Sequence, residues 1–173
     1  GSLIVGTRGV YRSTDNGSNW KYVGIPNQSV WSMGINKNNG YLFAGTLISS
    51  RIYRSTDNGN IWRVVHNLTY APNEIHIEEK SGYIFIGTTD INNNALVERS
   101  TDNGNNWHYA NTGINNRNGI NSITSDTLGN LYAATSFSNN FYYSTNLGET
   151  WKNTDTNQLL SHYEIRSILK SEE

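Results

Sequence analysis

The sequence predicts an all-β fold assembled from four similar sheets. Three observations carry that reading. An eight-residue pattern recurs four times at near-constant spacing, short runs of alternating apolar and polar residues lie between the copies, and no stretch keeps helical periodicity beyond about two turns.

Composition agrees. Of 173 residues only 35% are hydrophobic, yet 12% are aromatic, with five Trp and eleven Tyr, and Asn, Ser, Thr and Gly are abundant. Such a chain suits short strands joined by tight turns and is too aromatic for a disordered one. Its length suits one domain that buries a core. Residues 3–173 are read as that domain, and Gly1-Ser2 as an expression scar. The formal net charge is −1 and no Lys/Arg run occurs, so no nucleic-acid partner is expected. Cysteine is absent, which excludes disulfides and thiolate metal sites. No apolar run has the length of a membrane-crossing helix, so no membrane insertion is expected.

The repeated octet reads STDNGSNW at residues 13–20, STDNGNIW at 55–62, STDNGNNW at 100–107 and STNLGETW at 144–151, with offsets of 42, 45 and 44 residues. Its chemistry is that of a tight turn. Asp15, Asp57 and Asp102 can accept hydrogen bonds from turn amides, and Gly17, Gly59, Gly104 and Gly148 can supply a positive φ. Trp20, Trp62, Trp107 and Trp151 then open the next strand and bury a large ring. Asn146 replaces the acidic residue in the fourth copy, where a looser hairpin is expected because the charge is gone.

This pattern, S-x-D-x-G-x-x-W, resembles the Asp box of the BNR-repeat family. A Gly-Thr-like strand end precedes each copy, at Gly6-Thr7, Gly45-Thr46, Gly87-Thr88 and Ala134-Thr135, so the resemblance covers essentially the whole chain. It implies a β-propeller of four four-stranded blades, with each box forming the hairpin between the third and fourth strands. The clearest blade reads as strand a from Val30 to Asn36, b from Tyr41 to Thr46, c from Arg51 to Thr56 and d from Trp62 to Val65. Alternation in Tyr41-Leu42-Phe43-Ala44 and Tyr83-Ile84-Phe85-Ile86 supports the b strands.

The phase of the repeats sets an expectation about closure. Leu3 to Gly6 reads as a strand b, and Glu164 to Lys170 as an orphan strand a whose Ile165, Ser167 and Ile168 match Val30, Ser32 and Met33. The C-terminal strand is therefore expected to pair with the N-terminal blade, closing a four-bladed ring and protecting its edge. That ring is a monomer. The alternative is a larger ring, of which the chain is a piece or which two copies form as a homodimer.

On this map the boxes and the arginines that precede them, Arg12, Arg54 and Arg99, belong to the frame. The opposite face carries loops of variable length, such as Thr89 to Asn94 and Asn111 to Asn118, where specificity usually resides on a repeated scaffold. Arg8, Arg51, Arg117 and Arg166 fall on that face. Arg166 shares its repeat position with Trp31, Asn73 and Asn121, near the start of strand a, while Glu74 interrupts the serine series of Ser32, Ser122 and Ser167. Trp31 is the only Trp outside a box, and a sugar could stack on its ring while Asn and Arg side chains hold its hydroxyls or an acidic group; the plainer role is a Trp packed between blades.

Resemblance to Asp-box proteins raises sialidase chemistry, which uses three arginines, a Tyr nucleophile paired with Glu, and an Asp acid. Tyr163 and Glu164 are adjacent, which puts them on opposite sides of a strand, and the family's Arg-Ile-Pro signature is missing. No carboxylate pair for glycoside hydrolysis stands out. His66, His76, His108 and His162 lack metal-ligand spacing, and His76 reads as a satisfied core histidine. The expected function is thus a non-catalytic module binding a glycan or a protein on the face away from the boxes, with no cofactor and no metal. The resemblance implies an extracellular or periplasmic bacterial protein. A glycoside hydrolase relative is the alternative, and a purely structural or engineered assembly unit is a third.

Overall fold

The computed structural model describes residues 1–90, 92, 94–115, 119–135, 141–154, 165–169 and 171. Among these residues fifteen strands fall into four antiparallel sheets in chain order. The first holds β1 (Leu3–Gly6), β2 (Val10–Ser13) and β3 (Lys21–Gly24). The second holds β4 (Val30–Asn36), β5 (Tyr41–Thr46), β6 (Arg51–Ser55) and β7 (Arg63–Asn67). The third holds β8 (Pro72–Ile77), β9 (Ile84–Thr89), β10 (Ala95–Ser100) and β11 (His108–Tyr109). The fourth holds β12 (Ile120–Ser125), β13 (Leu131–Thr135), β14 (Phe141–Ser144) and β15 (Lys152–Thr154). Each sheet is a meander, and successive sheets pack face to face as propeller blades.

The blades are glued by three apolar clusters. Val10, Ile25 and Ala44 join the first blade to the second, with Trp62 packed against them. Phe43, Ile52, Ile75, Ile84 and Ile86 join the second to the third, and Phe85, Val97, Ile120, Leu131, Tyr142 and Trp151 join the third to the fourth. Strand b of an inner blade is therefore buried on both faces: Phe43 faces forward and Ala44 backward, and both are sealed from solvent. The alternation expected of a half-buried strand is replaced by a continuous buried run. Each Phe or Ile so enclosed stabilises the stack by about 1.5–3 kcal/mol.

Close approach explains the Gly-Thr landmarks. A Cβ on Gly45 would lie 2.6 Å from Pro72 Cγ, and one on Gly87 would lie 2.6 Å from Ile120 Cγ2. Gly6 meets Val30 in the same way. The first residue of each strand a thus presses on the bare backbone of the blade before it.

The boxes form the turns anticipated from their chemistry. Ser55 Oγ donates to Asp57 Oδ1 at 2.8 Å and accepts from Gly59 N at 2.9 Å, while Asp57 Oδ1 accepts from Ile61 N at 2.9 Å. Asp15 makes equivalent bonds, and the donors of Asn19 and Ser13 hold its carboxyl down to about 2. Glycines 17, 59, 104 and 148 all take positive φ. The fourth box is not looser: Asn146 Oδ1 accepts from Ser144 Oγ at 2.8 Å and from Thr150 N at 3.0 Å, because an amide oxygen serves these donors as a carboxylate does. Its cost lies elsewhere, in Leu147, which sits at φ 54° where the other boxes have Asn. Trp62, Trp107 and Trp151 precede strand d by one residue rather than opening it.

The box arginines act as rivets. Arg12 Nη1 donates to Asn58 O at 3.1 Å, Arg54 Nη1 to Asn103 O at 2.6 Å and Arg99 Nη1 to Leu147 O at 2.5 Å. Each clamps the box turn of the following blade.

Among the described residues the first sheet has three strands. Residues 165–169 lie beside β12, where Ile168 N donates to Ser122 Oγ at 3.2 Å, and among the described residues no ladder joins them to β1. Residue 164, with which the orphan strand was expected to begin, and residue 170 lie outside the described residues.

Candidate functional site

Strand a carries the same irregularity in each blade that has one. The ladder slips between Val30 and Ser32, between Pro72 and Glu74, and between Ile120 and Ser122. The unpaired residue is Trp31, Asn73 or Asn121, and Arg166 stands at the same step beside Ile165. A bulge bends its strand and re-aims the extra side chain, a device common beside binding sites. These residues sit opposite the end of strand b, since Val30 pairs with Thr46, whereas the box follows Ser55, which pairs with Leu42 at the start of that strand. The bulges and the boxes therefore occupy opposite faces.

Trp31, Asn73, Glu74, Asn121 and Arg166 line one hollow of about 380 Å³, at the small end of ligand cavities. Trp31 is 63% exposed, so its ring is presented rather than packed between blades. The two asparagines are partly committed to the frame. Asn73 Nδ2 donates to Ile120 O and to Thr89 Oγ1, both at 3.0 Å, and Asn121 Nδ2 donates to Ile165 O at 3.1 Å. The amide oxygen of Asn73 carries no bond to a described residue.

Glu74 replaces a serine with a structural task. Ser32 Oγ accepts from Ile75 N at 2.8 Å, and Ser122 Oγ makes the equivalent bond to Ile168 N. Glu74 makes no such tie, is half-buried, and has no hydrogen bond or ion pair among the described residues. Desolvation pushes its carboxyl up to about 7. The hollow thus holds an aromatic face, an amide, a guanidinium and a carboxyl that changes charge near neutrality.

The remaining arginines are elsewhere. Arg8 is exposed between β1 and β2, and Arg51 opens β6 and donates from Nε to Asn67 Oδ1 at 3.1 Å; neither lines the hollow. Arg117, Tyr163, Glu164 and His162 lie outside the described residues. His76 Nε2 is 3.0 Å from Ser125 Oγ, and burial lowers its pKa to about 4. Among the described residues no three His, Cys, Asp or Glu side chains converge on a metal site, and no helix is long and apolar enough to cross a membrane. The residue missed from the sequence is Thr89, whose hydroxyl fixes Asn73. Its sequence signals are that it follows the Gly-Thr landmark and opens the variable loop Thr89 to Asn94.

A family model for the BNR/Asp-box repeat matches residues 142–153. No curated protein matches the chain. Solved structures do. The GH74 xyloglucanase from Xanthomonas campestris superposes with a TM-score of 0.72 at 17% identity, over 90% of this chain and 28% of its own. The extracellular domain of a one-component system from B. thetaiotaomicron gives 0.74 at 16% identity, over 99% of this chain and 24% of its own. A chain of a nidogen/laminin complex gives 0.68 at 15% identity, over 88% and 60%. The chain spans about a quarter of the length of the first two. With an octet recurring at four places and blades stacked around shared apolar seams, the chain has a β-propeller fold, and its residues 142–153 match the Asp-box repeat.

Proposed function

We propose that the chain is a recognition module that binds a glycan in the hollow opposite its Asp boxes, as part of a bacterial protein acting outside the cytoplasm. The observation that carries this reading is the exposed indole of Trp31 on a bulge, facing Asn73, Glu74, Asn121 and Arg166 across one cavity. An aromatic face takes the apolar side of a pyranose, and amide and guanidinium groups take its hydroxyls. The solved relatives that include a xyloglucanase and an extracellular bacterial domain support the glycan and the location.

One feature favours a hydrolase as the second reading. A carboxyl held near 7 suits a general acid. Glycoside hydrolysis needs a second carboxylate across the bond, and among the described residues Glu74 is the only acidic one lining the hollow. A glycan array followed by titration calorimetry tests the proposal: a hit lost in Trp31→Ala but retained in Trp20→Ala supports it. An array without hits, with capture of a protein ligand instead, overturns the glycan assignment. Turnover of the bound oligosaccharide, abolished by Glu74→Gln, moves the chain to the hydrolases.

A further inference from the structure

We propose that the hollow selects an amino sugar: Trp31 carries the ring, and Glu74 with the amide oxygen of Asn73 binds a free ammonium on it. The proposal rests on glycan binding in the hollow and adds the charge of the ligand.

The donors and acceptors left over decide that charge. Asn73 Nδ2 donates to Thr89 Oγ1 and to Ile120 O, both at 3.0 Å. A backbone carbonyl can only accept, so the orientation of the amide is fixed and both of its hydrogens are spent. What Asn73 has left is its oxygen, which bonds to no described residue. Glu74 adds two more acceptor oxygens, again with no partner among the described residues. These atoms are not sealed in the core; the described side-chain atoms that are both sealed and unpartnered are Gln28 Oε1 and Thr88 Oγ1. The acceptors of Asn73 and Glu74 therefore stay open to solvent in the hollow that both residues line.

Glu74 stands apart from the frame. Ser32 and Ser122 use the same repeat position to hold the next strand, through Ile75 N and Ile168 N. Glu74 gives up that tie and brings an acid to a half-buried place, where an ionised carboxylate is uncompensated. Arg166 lines the same hollow but makes no ion pair with Glu74, and desolvation is the cause that raises the Glu74 carboxyl to about 7. The missing partner is a cation, and a ligand can supply it.

An ammonium has three donors and no acceptor, so it serves Asn73 Oδ1 and Glu74 at once. A sugar hydroxyl brings one donor. An acetamido group offers a single N–H and adds a carbonyl where acceptors already stand. The exposed indole face of Trp31 also attracts a nearby cation. A charged donor on these acceptors is expected to bind about tenfold tighter than a neutral one.

Three short β-1,4-linked oligomers that differ only at C2, made of glucosamine, glucose and N-acetylglucosamine, test this by titration calorimetry with the full chain near neutral pH. The glucosamine oligomer is expected to bind about tenfold tighter than the other two. Glu74→Gln loses an unpaired charge and keeps the shape, so it is expected to fold and to abolish the preference. Glu79→Gln, which removes a carboxylate paired with Lys37 on the box face, is expected to retain it. Absent, equal or weaker binding of the glucosamine oligomer overturns the proposal, while glycan binding stands if a neutral oligomer binds and is lost in Trp31→Ala. A preference that survives Glu74→Gln places the ammonium elsewhere and overturns it too. Tighter binding of oligolysine, lost in Glu74→Gln, assigns the hollow to a protein ammonium and overturns both.

Discussion

Removing the charge of Glu74 while keeping its shape, with Glu74→Gln, is expected to stabilise the protein above neutral pH and to change little below pH 5. The carboxyl is moved from an ordinary 4.5 to about 7 by desolvation, with no compensating partner among the described residues. Each pH unit of displacement corresponds to about 1.4 kcal/mol, so the unscreened penalty on the ionised form is about 3 kcal/mol. The side chain keeps part of its exposure to water, and screening reduces this to roughly 1–2 kcal/mol. The sign follows from proton linkage. A group whose pKa is raised on folding favours the folded state below its unfolded pKa, here about 4.5, and that contribution is lost as pH rises through about 7. His76 stays neutral across this window because its own pKa is held near 4. Urea unfolding followed by Trp fluorescence at pH 5, 7 and 8.5 measures the difference. The variant's advantage is expected to grow from near zero to about 1–2 kcal/mol, with an unchanged denaturant slope. An equal difference at all three values would show that Glu74 is paired or solvated and that the hollow lacks a titrating group.

Other expectations follow from single contacts. Gly87→Ala forces a Cβ to 2.6 Å from Ile120 Cγ2 and is expected to cost about 1–3 kcal/mol in urea unfolding. Leu147→Asn relieves a left-handed backbone at φ 54° and is expected to gain about 0.5–1 kcal/mol; a loss would mean that packing of Leu147 outweighs the strain. Arg54→Ala removes the donor to Asn103 O and Asn105 Oδ1 and is expected to cost about 1–3 kcal/mol, with amide exchange rising first in the third box. Trp31→Ala is expected to leave stability within about 0.5 kcal/mol, because the ring is largely exposed.

The frame was legible because it repeats. Four boxes gave blade number, turn positions and the assignment of Arg12, Arg54 and Arg99 to structure, and the rivets those arginines form follow one rule in all three places. The site was legible in part. Aligning the repeats brought Trp31, Asn73, Asn121 and Arg166 into one column, and the structure brings them to one hollow. The bulge that presents them was not legible, because a slipped register belongs to the pairing of two strands and leaves no mark on one. Buried runs such as Ile84-Phe85-Ile86 look alternating in the sequence because periodicity does not show that a blade is covered on both sides. Arg8 and Arg51 share the face but not the hollow, because repeat phase shows a face whereas distance from the axis leaves no mark in the sequence.

The most direct measurement is an NMR titration of the five Trp indole N–H signals with the tightest-binding array glycan. Glycan binding in the hollow predicts that the Trp31 signal moves with saturation while Trp20, Trp62, Trp107 and Trp151 stay in place. Saturable movement of the box Trp signals with Trp31 unmoved would place the ligand on the other face and contradict it.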